Sequence, residues 1–430
     1  MSNQFVHQSK QLCVGCGVCA GMCGAIKMKT DDFGFYYPEV NQTVCVQCGK
    51  CVSICPMRLS NQNAEKLERT CLQNENLSYR VETGHYLGTY EGVISQYQNT
   101  SASGGYCTAL LCELLSRKLV KSVYCARKKN DQDRFFVSER VTTCEELRRC
   151  SGSAYYPIEI SETINSIRNN REKTAIVCLP CQATALRLAM QKDKALKDSI
   201  VFVIGLVCGG IPGKGMVEYI AKDLSCDLKE VTNISFREKD SGIKCNNCQI
   251  KFYHNDREIA VSRFHGESFG FVYLNHILHN KGCNTCTDIF AEQADAVFGD
   301  AWFDENRSKE MGTSICITRN PVLDEIMRVL GARASTIDRM ILAQSNVGLI
   351  TRKKQFSHYY RWYYGKKGYA IDADSKKVTS RKKQCRVILE ELFANGNRRA
   401  WLDYKAGKIS FPKLKKKWVK NIEWKRRCHL

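Results

Sequence analysis

The chain has no long hydrophobic run. No apolar stretch approaches the ~20 residues needed to span a bilayer, so a membrane-spanning role is not expected. A secretory leader is not expected, since the first residues are polar. A cytoplasmic protein is expected, free or peripheral to the membrane. Acidic residues are scarce in one place. From Thr351 onward there are 6 Asp and Glu against 24 Lys and Arg, a net +18 of the whole-chain +21. The basic character therefore belongs to one segment and not to the body. No recognised nucleic-acid-binding module accompanies it, which argues against nucleic acid as a partner.

What is abundant is cysteine, with 25 in 430 residues, and 43% of the chain is apolar. That length supports two or three domains with real cores. Many cysteines can mark a secreted disulfide scaffold, but their spacing here points to reduced thiolate ligands. Cys13, Cys16, Cys19 and Cys23 form one C-x2-C-x2-C-x3-C run, and Cys45, Cys48, Cys51 and Cys55 form a second that ends in Pro56. This is the spacing of a bacterial two-cluster ferredoxin, in which the fourth cysteine of each run reaches the other cluster. Cys13, Cys16, Cys19 and Cys55 are thus expected on one [4Fe–4S] cluster, and Cys45, Cys48, Cys51 and Cys23 on the other. Gly15, Gly17 and Gly49 give the loops the freedom to converge. Zinc usually takes C-x2-C pairs with longer gaps between them. The first run ends in Gly24 where proline is common.

The expected organisation is a small α+β ferredoxin-like 2[4Fe–4S] domain over 1–60, a polar linker over 61–83, an α/β body over 84–350 and a basic helical extension over 351–430. In the body, Gly92–Gln98 alternates as a strand and leads into Thr100-Ser-Ala-Ser-Gly-Gly105 and an apolar helix. A Ser/Gly loop at a helix start can cradle a phosphate or simply cap the helix. Strands are expected at Lys121–Cys125, Thr174–Cys178, Ile200–Val207 and Val231–Phe236, with helices at 161–172 and Ala183–Lys192. Two strands run into cysteines at turns, Cys181 and Cys208, and chemistry in open α/β sheets gathers at strand carboxyl ends. Two further pairs follow, Cys245 with Cys248 and Cys283 with Cys286. Cys107, Cys112 and Cys125 lie in apolar runs and read as small buried hydrophobes.

Five motifs in order carry a resemblance. They are Ser101-Ala-Ser103-Gly104-Gly105, Pro180-Cys181-Gln182, Gly205-Leu-Val-Cys208-Gly-Gly-Ile-Pro212, Phe236-Arg237-Glu-Lys239, and Cys283-x2-Cys286 leading to Ala294-Asp295 and Gly299-Asp300. With the tandem cysteine runs, residues 1–320 resemble the family of coenzyme F-420 hydrogenase/dehydrogenase beta subunits. The resemblance implies an α/β flavin-binding body holding FAD and a third [4Fe–4S] cluster. It implies Cys181, Cys208, Cys283 and Cys286 as that cluster's ligands. It brings the Ser101–Gly105 loop to the FAD, and it makes Arg237 and Lys239 candidates for flavin phosphates or an acidic substrate. Asp300 either contacts flavin or caps a turn. The implied activity is flavin-dependent oxidoreduction, with a ferredoxin-like protein or a reduced deazaflavin as redox partner and a small organic substrate. The alternative is an electron-transfer subunit serving a partner enzyme or a membrane-associated complex.

The chain departs from the family pattern at three places. Gly209 stands where histidine is frequent, Ala154 where many members have lysine, and Gly242-Ile243 where a Gly-Trp pair is usual. The added pair Cys245 and Cys248 follows, and zinc, a shared cluster and a redox pair all remain open for it. In the tail, Lys376–Phe393 has helical spacing. Phe411, Leu414, Trp418 and Ile422 recur three to four apart among lysines, as in a basic amphipathic helix. That helix can dock on its own chain, or lie on an anionic membrane or an acidic partner.

Overall fold

The computed structural model describes residues 10–72, 76–307, 309–345, 348–371 and 378–428. The first two residues of the helix expected from Lys376 lie outside this set.

The N-terminal unit is a hairpin of β1 (Ile26–Thr30) and β2 (Tyr36–Val40), paired antiparallel. Each cysteine run turns into a four-residue helix, Val18–Gly21 and Lys50–Ser53, entered through a left-handed glycine, Gly17 or Gly49. Gly17 also has no room for a side chain. A Cβ there would lie 2.3 Å from Glu159 Oε2 and 2.7 Å from the Ile160 nitrogen. The cysteine loop is thus pressed against the body, and the Ile160 N–H donates to the Cys16 carbonyl at 3.1 Å.

Residues expected as a linker form a helix over Asn61–Leu72. Its polarity misleads because a charged residue is what it buries. Glu68 is 1% exposed, accepts the His85 N–H at 2.7 Å and faces the imidazole at 3.1 Å. His85 lies on β4 (Gly84–Tyr86), which pairs with β3 (Ser78–Arg80).

The body is built on a seven-stranded sheet. Its strands are β5 (Gly88–Gly92), β6 (Ser122–Lys128), β7 (Phe136–Val141), β8 (Thr174–Cys178), β9 (Ile200–Leu206), β13 (Ala296–Asp300) and β14 (Ser314–Thr318). The order is β5-β14-β13-β9-β8-β6-β7. The central four, β13, β9, β8 and β6, run parallel, and antiparallel strands close both edges. Parallel strands covered on both faces read as continuous apolar runs, as β8 and β9 do. Side chains alternate between faces, so Ile176 and Val203 join one core while Ala175, Phe202 and Ile204 join the other. The strand expected at Gly92–Gln98 sits earlier, as β5. After Gly92 the chain turns, and Ser95–Gln98 is a helical turn that tucks Tyr97 beneath Gly105.

A second sheet, β10 (Asn233–Glu238), β11 (Gln249–His254) and β12 (Arg257–Arg263), is antiparallel. It shares its apolar core with the tail. Helices Arg381–Lys405 and Phe411–Arg427 place Trp401, Leu414, Trp418 and Ile422 in that core. The apolar face of the basic helix therefore docks on its own chain. Trp401 also donates its indole N–H to the Asp32 carbonyl at 3.0 Å, tying the tail to the N-terminal unit.

Among the remaining cysteines one expectation is corrected. Cys112 is not a lone buried thiol, since helices Tyr106–Ser116 and Cys144–Arg149 pack so closely that it forms a disulfide with Cys144. Cys125 is buried as expected.

Candidate functional site

The tandem cysteine runs interleave. Cys55 is among the charges acting on Cys13, Cys16 and Cys19. Cys51 is acted on by Cys23 and Cys45. The fourth cysteine of each run therefore faces the other run. Burial pushes the Cys13 thiol up to about 12 and the Cys55 thiol up to about 11. Cys48 is exposed at the outer end, with Val44 and Val46 beside it in sequence, 57% and 84% exposed.

A third cysteine set gathers at the carboxyl edge of the main sheet. Cys181 lies in the first turn of helix Pro180–Met190, directly after β8. Cys208 follows β9, and its N–H donates to the Ile289 carbonyl at 3.1 Å. Cys283 sits in the short helical turn Lys281–Thr285, and Cys286 closes it. All four line one cavity of about 70 Å3, together with Pro56 and Lys353. The Ile211 N–H points at Cys283 Sγ, 3.4 Å away. Burial raises Cys181 well above its ordinary value, and the neighbouring charges are Cys16, Cys208, Cys286 and Cys283. Cys181 is thus the link between the N-terminal set and the third set. Among the described residues no group of three or more His, Cys, Asp or Glu side chains is close enough to hold a single metal ion. A cubane spaces its ligand sulfurs more widely than one ion does, so four thiols around a shared cavity suit the larger group.

Sequence reasoning missed Lys353. It lies 2% exposed on the π-helical turn Thr351–Phe356 and faces the cysteine cavity. It stands among the tail's many basic residues, and composition alone reads such a lysine as surface charge. Arg361 lines the same cavity and donates to the Thr285 carbonyl at 2.8 Å.

The residues singled out for flavin meet at a second place. The Ser101–Gly105 loop packs on β14. The Ser103 hydroxyl donates to the Thr313 carbonyl at 2.7 Å, and the Gly104 N–H donates to Ser314 Oγ at 2.9 Å. Gly104 admits no side chain, because a Cβ would lie 2.2 Å from the Gly92 oxygen. Gly105 is left-handed, and helix Tyr106–Ser116 starts there without a side-chain cap. The Lys239 ammonium donates to the Ser103 carbonyl at 2.9 Å and to the Gln98 carbonyl.

Arg237 sits at a β-bulge in β10 with φ 57, a left-handed conformation that redirects its side chain. It pairs with Asp300 at the end of β13 and lies over Trp302, 5.2 Å from the ring centre. Burial opposes its charge, but Asp300 together with Tyr155 and Cys248 outweighs it and holds Arg237 cationic. Arg237 Nε is buried without a hydrogen-bond partner. Burial, with Arg237 nearby, brings Lys239 down to about 8. Cys245 and Cys248 belong to this same place. They line a cavity of about 10 Å3 with Ala102, Arg237 and Lys239.

Comparison with known proteins matches two parts of the chain to the beta subunit of coenzyme F420 hydrogenase/dehydrogenase. Residues 90–165 match the family's N-terminal part, and residues 171–337 its C-terminal part. The tandem cysteine runs and the tail lie outside both matches. The F subunit of the F(420)H(2) dehydrogenase of Methanosarcina mazei is 25% identical over 207 residues. That match covers 46% of this chain and 53% of the relative, so the chain spans about half of the relative's length. A chain of the xenon-derivatised F420-reducing [NiFe] hydrogenase complex from Methanosarcina barkeri shares the fold, with a TM-score of 0.50 at 18% identity. The likeness covers 67% of this chain and 96% of that one.

Proposed function

Because the chain belongs to the family of coenzyme F420 hydrogenase/dehydrogenase beta subunits, we propose that it is an iron–sulfur flavoprotein oxidoreductase. It couples single-electron transfer through [4Fe–4S] clusters to two-electron chemistry at FAD, on a deazaflavin or another small organic substrate. One observation carries the reading. Cys51 neighbours Cys55, Cys55 neighbours Cys16, and Cys16 neighbours Cys181, which lines one cavity with Cys208, Cys283 and Cys286.

In this reading Cys13, Cys16, Cys19 and Cys55 hold one cluster and Cys45, Cys48, Cys51 and Cys23 the second. Cys181, Cys208, Cys283 and Cys286 hold the third. FAD, when bound, supplies the exchange between an electron pair and single electrons. Arg237 and Lys239 hold its anionic groups, and the unpartnered Arg237 Nε supports an anion there. The uncapped helix start behind Ser101, Ser103, Gly104 and Gly105 offers further N–H donors. Asp300 orients Arg237. The cavity among these residues is about 10 Å3, so a group as large as FAD requires its lining to open. Cys245 and Cys248 stand away from the three proposed cluster sets and beside the flavin residues.

A second reading, an electron-transfer subunit serving a partner protein, is favoured by exposed Val44 and Val46 beside Cys48. An apolar patch next to a terminal cluster suits protein docking. The tail's charge suits an acidic partner or an anionic membrane surface, though its apolar face is occupied. No described helix is long and apolar enough to cross a membrane.

Anaerobic mixing separates the two readings. The protein is reduced, then mixed with oxidised coenzyme F420 while deazaflavin absorbance and cluster EPR are followed. Loss of cluster signal with matching deazaflavin reduction is the expected result. Electron delivery to a protein acceptor, with none to a deazaflavin or other small acceptor, supports the second reading instead.

A further inference from the structure

Lys353 is buried without an obvious counter-charge. Its side chain is 2% exposed and lines the cysteine cavity, and no described carboxylate lies within ion-pair distance of its ammonium. A buried ammonium left unpaired is strongly unfavourable. Two carboxylates stand on the same cavity, and neither pairs with Lys353. Glu292 pairs with Lys354, and Asp288 stands beside Glu292 with burial pushing it up to about 7. Arg361, also on the cavity, directs its guanidinium to the carbonyls of Thr285 and Leu59. The π-helical turn that presents Lys353 is a rare backbone form, found often at functional sites. It also lies beyond the residues that match the family.

We propose that Lys353 is a positioning residue for the third cluster: its ammonium, held on the cavity of Cys181, Cys208, Cys283 and Cys286, offsets their negative charge and raises the cluster's reduction potential. The proposal rests on the reading that these four cysteines hold a cluster. The physical reason is direct. Reduction takes [4Fe–4S]2+ to [4Fe–4S]+ by one electron from an external reductant, so the site becomes more negative. A fixed buried cation favours the reduced form, and solvent does not screen it. The first turn of the tail is then part of the redox site rather than an appendage.

The test uses the full-length protein purified anaerobically, as wild type, Lys353→Met and Lys353→Arg. Iron and sulfide are measured on each, followed by an EPR-monitored potentiometric titration with dithionite. All three are expected to hold ~12 iron per chain. In Lys353→Met one of the three cluster midpoints falls by at least tenfold in reduced-to-oxidised ratio, ~59 mV for one electron, while two stay unmoved. Lys353→Arg remains near wild type. A fully loaded Lys353→Met with all three midpoints unchanged overturns the proposal. If Lys353→Met holds only ~8 iron, Lys353→Arg decides. Recovery of the lost iron shows that the charge is required, and failure to recover it shows that only shape matters, which overturns the proposal. Wild type at ~8 iron removes the third cluster itself, and so fails the functional reading before Lys353 is reached.

Discussion

Replacing Trp401 by alanine tests whether the tail is an integral part of the molecule. Trp401 is 1% exposed, its ring stacks on Trp418 at 6.0 Å, and its N–H reaches the Asp32 carbonyl on the β1–β2 turn at 3.0 Å. Truncating a buried tryptophan costs about 3–5 kcal/mol, and the orphaned Asp32 carbonyl adds about 1 kcal/mol. Trp401→Phe separates the two, since it keeps most of the apolar contact and loses only the hydrogen bond, about 1 kcal/mol. The assay is native-state hydrogen exchange read by mass spectrometry on the anaerobic protein. At 1.4 kcal/mol per factor of ten, Trp401→Ala speeds local opening by about three to four powers of ten. The acceleration is expected in Arg381–Lys405, in Phe411–Arg427 and at the tip of the β1–β2 hairpin. Accelerated tail helices with an unaffected hairpin would refute the coupling through Asp32. A change below about 0.5 kcal/mol, the range of ordinary surface substitutions, would refute the docking itself.

Three further outcomes follow from particular residues. Lys239 titrates near 8 in the folded protein, below its ordinary 10.5, so it is charged at pH 7 and loses that charge above 8. Flavin affinity in the wild type should therefore weaken as pH rises through 8, whereas Lys239→Met should bind more weakly at pH 7 and show a flatter profile, read by flavin fluorescence. Cys245→Ser with Cys248→Ser should leave the iron content unchanged, because neither lines the large cysteine cavity; a loss of iron or of zinc on metal analysis would assign the pair as ligands. Arg319 is 0% exposed and donates to the carbonyls of Thr83, His85, Phe290, Ala291 and Ala294. Arg319→Met leaves those acceptors buried and should cost at least ~3 kcal/mol, seen as a fall in Tm of the apoprotein; an unchanged Tm would show that water reaches them.

The parallel strands were legible because burial on both faces writes itself as an apolar run. Thr174–Cys178 was placed to the residue, and Ile200–Val207 within one. The third cysteine set was legible through order, since two strand-end cysteines and a C-x2-C pair recur in a known pattern, and one cavity does bring them together. What was hidden depends on partners far along the chain. Glu68 made helix Asn61–Leu72 look like a linker, because its burial rests on His85, which sequence does not pair with it. Cys112 found Cys144 only through helix packing. Lys353 looked like one more basic residue of the tail, and only the folded π-helical turn turns it inward. Ser103 and Gly104 read as a loop with a hydroxyl and an N–H free for a phosphate, but both are spent on Thr313 and Ser314 at the start of β14, which no local pattern reveals.

The central claim is three clusters and a flavin on one chain. Anaerobic purification, with iron, acid-labile sulfide and flavin quantified on one sample beside its absorbance spectrum, tests it most directly. The expected result is ~12 iron, ~12 sulfide and one FAD per chain. Iron near ~8 with no flavin would leave two N-terminal clusters on an α/β body of another purpose, and would contradict it.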